Sequence, residues 1–111
     1  MLSDIFTNQR ILVREEAKDW QEAIYKAANP LMEEGCFDHT YVEAMLHLID
    51  EFGPYIVITK GVALAHARPE DGVRCGGLSV MTLRHPVEFG NTENDPVQIV
   101  FCLAATDANT H

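Results

Sequence analysis

The segment Gly61-Val62-Ala63-Leu64-Ala65-His66-Ala67-Arg68-Pro69-Glu70-Asp71-Gly72 holds the residues best suited to chemistry. A histidine follows a short apolar run, an arginine lies two residues on, and glycines bracket the stretch. The apolar run reads as a strand or buried turn, so His66 leaves a packed element where chain meets solvent. A scaffold holds such a side chain while the loop gives access to it. A neutral imidazole is a nucleophile, and once protonated it is a leaving group. His66 can therefore take up a phosphoryl group and release it without a metal. That group brings about −1.5 to −2 charges. Arg68 could meet them with a bidentate fork, and backbone N–H groups around Gly72 with an anion nest.

His111 is the second candidate. It follows the apolar run Val97 to Ala104, at the head of a would-be helix that Asp107, Asn109 or Thr110 could cap. If the strands ending at His66 and Ala104 are neighbours, their loops meet at one sheet edge, where ligands of open α/β sheets bind. Blander readings stand beside this one. His66 could be a hydrogen-bonded structural residue, and Arg68 the partner of Glu70 or Asp71. His66 and His111 could also ligate a metal with Glu70 as a third ligand, although the spacing forms no metal motif and no cofactor is expected. Neither serine, Ser3 or Ser79, sits in a nucleophile-elbow context. His39 and His47, in or beside a helix, receive no role.

The elements that must position these residues follow from the hydrophobic periods. Ile11-Leu12-Val13 reads as an edge strand, and Leu2, Ile5 and Phe6 form an apolar patch before it. Asp19 opens a helix with Glu22 as its capping-box partner, and Trp20, Ala23, Ile24, Ala27 and Leu31 make one apolar face. Pro30 predicts a kink or new turn, and Gly35 a stop. A second helix begins near Asp38 or Thr40, with Thr40 and Glu43 as a second capping box. Its face is Tyr41, Met45, Leu48, Ile49 and Phe52, and Gly53-Pro54 ends it.

After that the period changes to two. Tyr55–Thr59, Val62–Ala65 and Leu78–Arg84 read as strands, the last extended by Val87-Glu88-Phe89 beyond Pro86. Val97–Ala104 is the most apolar strand and therefore the most central. Two helices followed by several strands predict an α/β fold, a mixed β-sheet with helices packed on it.

The composition narrows the function. The 111 residues make a single domain, 1–111. Seventeen acidic against eight basic residues give a net charge of −9, spread along the chain. No basic stripe exists for nucleic acid, and an anionic membrane would repel the surface. The N-terminus has no signal-peptide core, and no run approaches the roughly 20 apolar residues of a bilayer span. Cys36, Cys75 and Cys102 are widely spaced and odd in number. They suggest neither a disulfide framework nor a zinc knuckle, and reduced thiols in a cytoplasmic protein are expected.

At Gly53-Pro54-Tyr55-Ile56-Val57-Ile58 and Val62-Ala63-Leu64-Ala65-His66-Ala67-Arg68-Pro69-Glu70 the chain resembles the mannitol/fructose-type enzyme IIA domains of the bacterial sugar phosphotransferase system. Pro86-Val87-Glu88-Phe89, Asn94-Asp95-Pro96-Val97 and Ala104 to His111 resemble the ascorbate-specific branch of that family. The similarity runs from about Trp20 to His111. It implies that His66 is phosphorylated on Nε2 by the phosphocarrier HPr and passes the group to a cysteine of enzyme IIB, and so indirectly to the membrane permease enzyme IIC. It implies that His111 is a second active-site histidine, hydrogen-bonded to the phosphoryl group. Arg68 is added on charge grounds alone.

The resemblance also implies a three-layer sandwich, the mixed sheet lying between helical layers. The sequence departs from the family pattern in two places. Proline usually precedes the active histidine where Ala65 stands here, and the family continues past His111 with further helices, so a C-terminally incomplete domain is expected. Two rival readings are an enzyme IIA-like domain that regulates rather than feeds transport, and a metal-binding or structural module using His66 and His111.

Overall fold

The computed structural model describes residues 10–106. The patch Leu2/Ile5/Phe6 and the predicted position of His111 lie outside them. Five strands form one sheet: β1 (Ile11–Glu15), β2 (Val57–Thr59), β3 (Val62–Ala65), β4 (Gly77–Val87) and β5 (Val97–Ala104). Their order is β1-β4-β5-β3-β2. β1 runs parallel to β4 and β3 parallel to β5, whereas β4–β5 and β2–β3 are antiparallel. The sheet is mixed, β5 lies at its centre and β1 at its edge, as the apolar patterns predict.

Helix α1 spans Trp20–Glu33 and helix α2 His39–Phe52. Asp19 caps α1, its carboxylate accepting the Glu22 N–H at 2.8 Å. The Glu22 carboxylate reaches one residue further back than a capping box requires, to the N–H of Lys18. α1 continues through Pro30 as far as Glu33, so no new turn begins at the proline. The buried proline ring lies on the apolar face, and the helix forgoes only the one hydrogen bond that Pro30 cannot donate. Asp38 caps α2 by accepting the Thr40 N–H at 3.0 Å. The predicted Thr40/Glu43 box is thereby displaced, because an Asp two residues earlier offers the better acceptor. Phe52, in the predicted stripe, is 70% exposed; Ile49 is the last buried residue of the helix, so the final turn overhangs the core.

The core lies between the helices and one face of the sheet. Ala23, Ile24, Ala27 and Leu31 of α1 and Tyr41, Val42 and Met45 of α2 bury against Met81, Val100, Cys102 and Ala65. The Ser79 hydroxyl, fully buried on this face, donates to the Ala27 carbonyl at 2.5 Å. On the opposite face Val62, Leu64, Val80, Phe101 and Leu103 are partly buried. Among the described residues α1 and α2 are the α-helices, so the second helical layer of the expected sandwich is not described.

Other differences from expectation have local causes. The strand read over Tyr55–Thr59 shortens to Val57–Thr59, because Tyr55 and Ile56 form the turn out of α2. β4 runs through Pro86, where its pairing with β5 shifts register between Thr82 and Val87 and makes room for a residue without an N–H. Cys36 and Cys75 are joined in a disulfide, with Cα atoms 4.5 Å apart, contrary to the expected reduced thiols. Their separation of 39 residues carries no pairing signal, and the fold brings them together by setting the α1–α2 turn beside the entry to β4. Cys102 is the remaining thiol; it is buried, and burial pushes its pKa up to about 12. Among the described residues no helix is long and apolar enough to cross a membrane.

Candidate active site

His66 immediately follows β3, and β3 and β5 pair in parallel register from Val62↔Ile99 to Ala65↔Cys102. The loops after both strands therefore leave the sheet at one edge. That is the edge at which the sequence predicts His66 and His111 to meet, and β5 delivers the chain to it at Ala104. His111 itself lies outside the described residues.

The β2–β3 hairpin aims His66. Its turn places Gly61 at φ +74°, a left-handed conformation that glycine adopts without strain. Ala65 is buried and makes the last pairing of β3, so the residue standing where the family pattern has proline completes the strand. His66, one step beyond, is partly buried. Its Nδ1 lies 2.7 Å from the carbonyl oxygen of Leu64. A carbonyl can only accept, so Nδ1 carries the proton in the neutral ring and the in-plane lone pair falls on Nε2. The tyrosine ring of Tyr55 meets the imidazole edge-on, with centroids 5.2 Å apart at 88°.

His66 opens into a cleft of about 300 Å³ that Leu48, Tyr55, Ala67, Arg68, Pro69 and Glu70 line with it. Apolar walls on one side and a charged rim on the other suit a small charged group that must be oriented and partly dried. Arg68 stands on this rim, 63% exposed. Its guanidinium donates to both Asp71 carboxylate oxygens at 3.2 Å and lies 3.6 Å from Glu70. The pairing that the sequence offered as the bland reading of Arg68 is thus present. The hydrogen bond from Arg68 holds the Asp71 carboxyl below the usual carboxylate range, and the same bond raises the Arg68 pKa. Asp71 also accepts the Arg68 backbone N–H at 3.0 Å and closes the single 3-10 turn Pro69–Asp71.

Two tyrosines that the sequence reading left to packing enter the site. The Tyr41 hydroxyl, buried under the sheet edge, accepts the Ala67 N–H at 3.1 Å and donates to the Leu103 carbonyl at 3.0 Å, with the Ala67 carbonyl at 3.3 Å. The Tyr55 hydroxyl donates to the His66 carbonyl. Burial pushes both phenols up to about 12. For Tyr41 the available signal was a tyrosine in place of phenylalanine on a buried helix face, since a buried hydroxyl requires a partner. Among the described residues no three His, Cys, Asp or Glu side chains converge as a metal site would require.

The domain is mixed α/β and presents a histidine, its neutral tautomer set by a backbone carbonyl, at the shared exit of two parallel strands. The chain belongs to the family described as "Phosphoenolpyruvate-dependent sugar phosphotransferase system, EIIA 2", which matches residues 4–111. It is 43% identical over 104 residues to the ascorbate-specific EIIA component of Escherichia coli (strain K12), covering 94% of this chain and 68% of that protein. The solution structure of the E. coli mannitol-specific cryptic enzyme IIA CmtB superposes with a TM-score of 0.89 at 39% identity, over 99% of this chain and 74% of that one. The E. coli mannitol enzyme IIA, determined in complex with phosphorylated enzyme IIB, superposes at 0.81 with 25% identity, over 95% and 74%. The resemblance read from the sequence segments and the mixed α/β fold are borne out.

Proposed function

We propose that this chain carries phosphoryl groups on His66 in an ascorbate-type sugar phosphotransferase system. The observation that supports the proposal is the Nδ1 contact of His66 with the Leu64 carbonyl, which puts the lone pair of the neutral ring on Nε2. In the first step the Nε2 lone pair attacks the phosphorus of a phosphohistidine on HPr. The new N–P bond forms as the donor's N–P bond breaks, and the donor imidazole leaves with the electron pair. In the second step a thiolate of enzyme IIB attacks the same phosphorus, an S–P bond forms, and His66 is the leaving group. Enzyme IIB then supplies the membrane permease enzyme IIC. No metal or other cofactor enters either step.

Such transfers need alignment and charge stabilisation more than bond activation. Arg68 is the cation at the rim, and His111, seven residues after Ala104 in the sequence, is the second histidine. The net charge of −9 suits transient docking on partners that surround their own active residue with basic side chains. Ascorbate as the sugar rests on the 43% identity to relatives named for it. On this reading the protein works in the cytoplasm.

The test is incubation with phosphoenolpyruvate, enzyme I and HPr, followed by intact mass. One acid-labile phosphoryl group is expected. It should be absent from His66→Ala and slower to appear in His111→Ala. A His66→Ala protein that still gains the group overturns the assignment.

A further inference from the structure

We propose that Tyr41 and Tyr55 act together as positioning residues for transfer at His66, by clamping one peptide plane; the proposal rests on the reading of His66 as the phosphoryl acceptor. The Tyr55 hydroxyl donates to the His66 carbonyl, and the Ala67 N–H donates to the Tyr41 hydroxyl at 3.1 Å. That carbonyl and that N–H belong to the same peptide unit. A peptide is rigid and its two polar groups point in opposite directions. Two hydroxyls gripping it from opposite edges therefore fix its rotation, and with it the backbone from which the imidazole projects.

The remaining freedom of the side chain is taken up by two further contacts. Nδ1 faces Leu64 at 2.7 Å, which sets the ring's rotation about its own bond. The Tyr55 ring stands perpendicular to the imidazole, with centroids 5.2 Å apart, and packs against it. One tyrosine thus holds both the backbone and the ring of the same residue. The other comes from α2, and by donating to Leu103 at 3.0 Å it ties the exit of β3 to the exit of β5. Loops that would otherwise move separately are fixed relative to each other.

Tyr55 is 37% exposed and lines the cleft, so core packing does not account for its hydroxyl turning back to the chain. Transfer to and from Nε2 requires in-line approach, and misplacement by about 1 Å can cost on the order of a hundredfold in rate. A Tyr→Phe change removes one oxygen and keeps the ring.

The experiment measures single-turnover phosphorylation of the full chain by phosphorylated HPr over a range of HPr concentrations, for wild type, Tyr41→Phe, Tyr55→Phe and His66→Gln. Each Phe variant is expected to lower the limiting rate constant about tenfold while half-saturation changes less than twofold. The end point should remain one phosphoryl group per chain. Unchanged limiting rates in folded Phe variants overturn the proposal, as does a loss confined to half-saturation. If Tyr41→Phe fails to fold, Tyr55→Phe carries the test alone. Failure of the underlying reading looks different: His66→Gln is phosphorylated, or the wild type never is.

Discussion

Nδ1 of His66 and the carbonyl oxygen of Leu64 lie 2.7 Å apart, a contact made within one strand and its exit. It links the extended backbone of β3 to which ring nitrogen of His66 holds the lone pair. A histidine placed one residue earlier would point to the opposite face, because side chains alternate along a strand. The contact predicts that the neutral imidazole carries its proton on Nδ1. Nitrogen-15 NMR of labelled protein should show the one-bond proton coupling at Nδ1, and phosphorylation should perturb Nε2. A neutral ring protonated on Nε2 would remove the basis for assigning the nucleophile.

The two phenols predict how the fold responds to alkali. Each has a pKa near 12 in the folded chain, against about 10 for an unperturbed tyrosine. Between these values the unfolded chain has released the protons and the folded chain has not, so stability falls as pH rises. The contribution is fully present below about pH 10 and is lost on passing through about pH 12. For buried Tyr41 it amounts to on the order of 2 kcal/mol. Urea midpoints measured from pH 8 to 11.5 should decline above pH 10, and Tyr41→Phe should flatten the decline. An equally steep fall in that variant would show that other groups are responsible.

Ser79 offers a local test of the helix–sheet packing. Its buried hydroxyl bonds the Ala27 carbonyl from near the start of β4. Ser79→Ala removes the donor and leaves an almost isosteric methyl group. The expected loss is about 1 kcal/mol, or a Tm lower by about 4 °C. An unchanged Tm would mean that the bond contributes nothing net.

Much of this arrangement was legible in the sequence, and the remainder has physical reasons for its silence. α1 could be read because Asp19, the three- and four-residue apolar spacing and Gly35 agree with one another. β5 could be read as central because its residues are apolar on both faces. The adjacency of β3 and β5 could only be posed as a condition, since strand order is set by long-range pairing that a local pattern does not encode. Tyr41 and Tyr55 were legible as apolar bulk. Their hydroxyl partners, Ala67, Leu103 and His66, are 11 to 62 residues away. Arg68 could be singled out only for its charge beside His66, and its carboxylate partners were in view as Glu70 and Asp71.

The disulfide lay furthest from a sequence reading, and it makes a countable prediction. Under denaturing, non-reducing conditions the oxidised protein should titrate one thiol, Cys102, and after reduction three. Closing a loop of 39 residues stabilises the folded chain by about 4 kcal/mol on the chain-entropy account. Reduction, as in a reducing cytoplasm, should lower the urea midpoint accordingly. Cys36→Ser/Cys75→Ser should match the reduced wild type and no longer respond to reductant. Three thiols in air-oxidised protein would show that the bond does not form in solution.

Arg68 makes the last prediction, because its two readings differ in what they affect. As a partner of Asp71 it closes the turn Pro69–Asp71, but the backbone N–H of Arg68 already gives Asp71 a hydrogen bond at 3.0 Å. The guanidinium is exposed, so losing it should leave the fold intact. As a cation at the cleft it should matter when a phosphoryl group arrives, since an exposed ion pair can exchange one anion for another at small cost. Arg68→Gln is therefore expected to keep its Tm within about 2 °C and to slow phosphorylation by about tenfold. Arg68→Lys should recover part of that rate through its charge while lacking the bidentate fork. A drop in Tm without a change in rate would leave Arg68 as a structural clasp on Asp71.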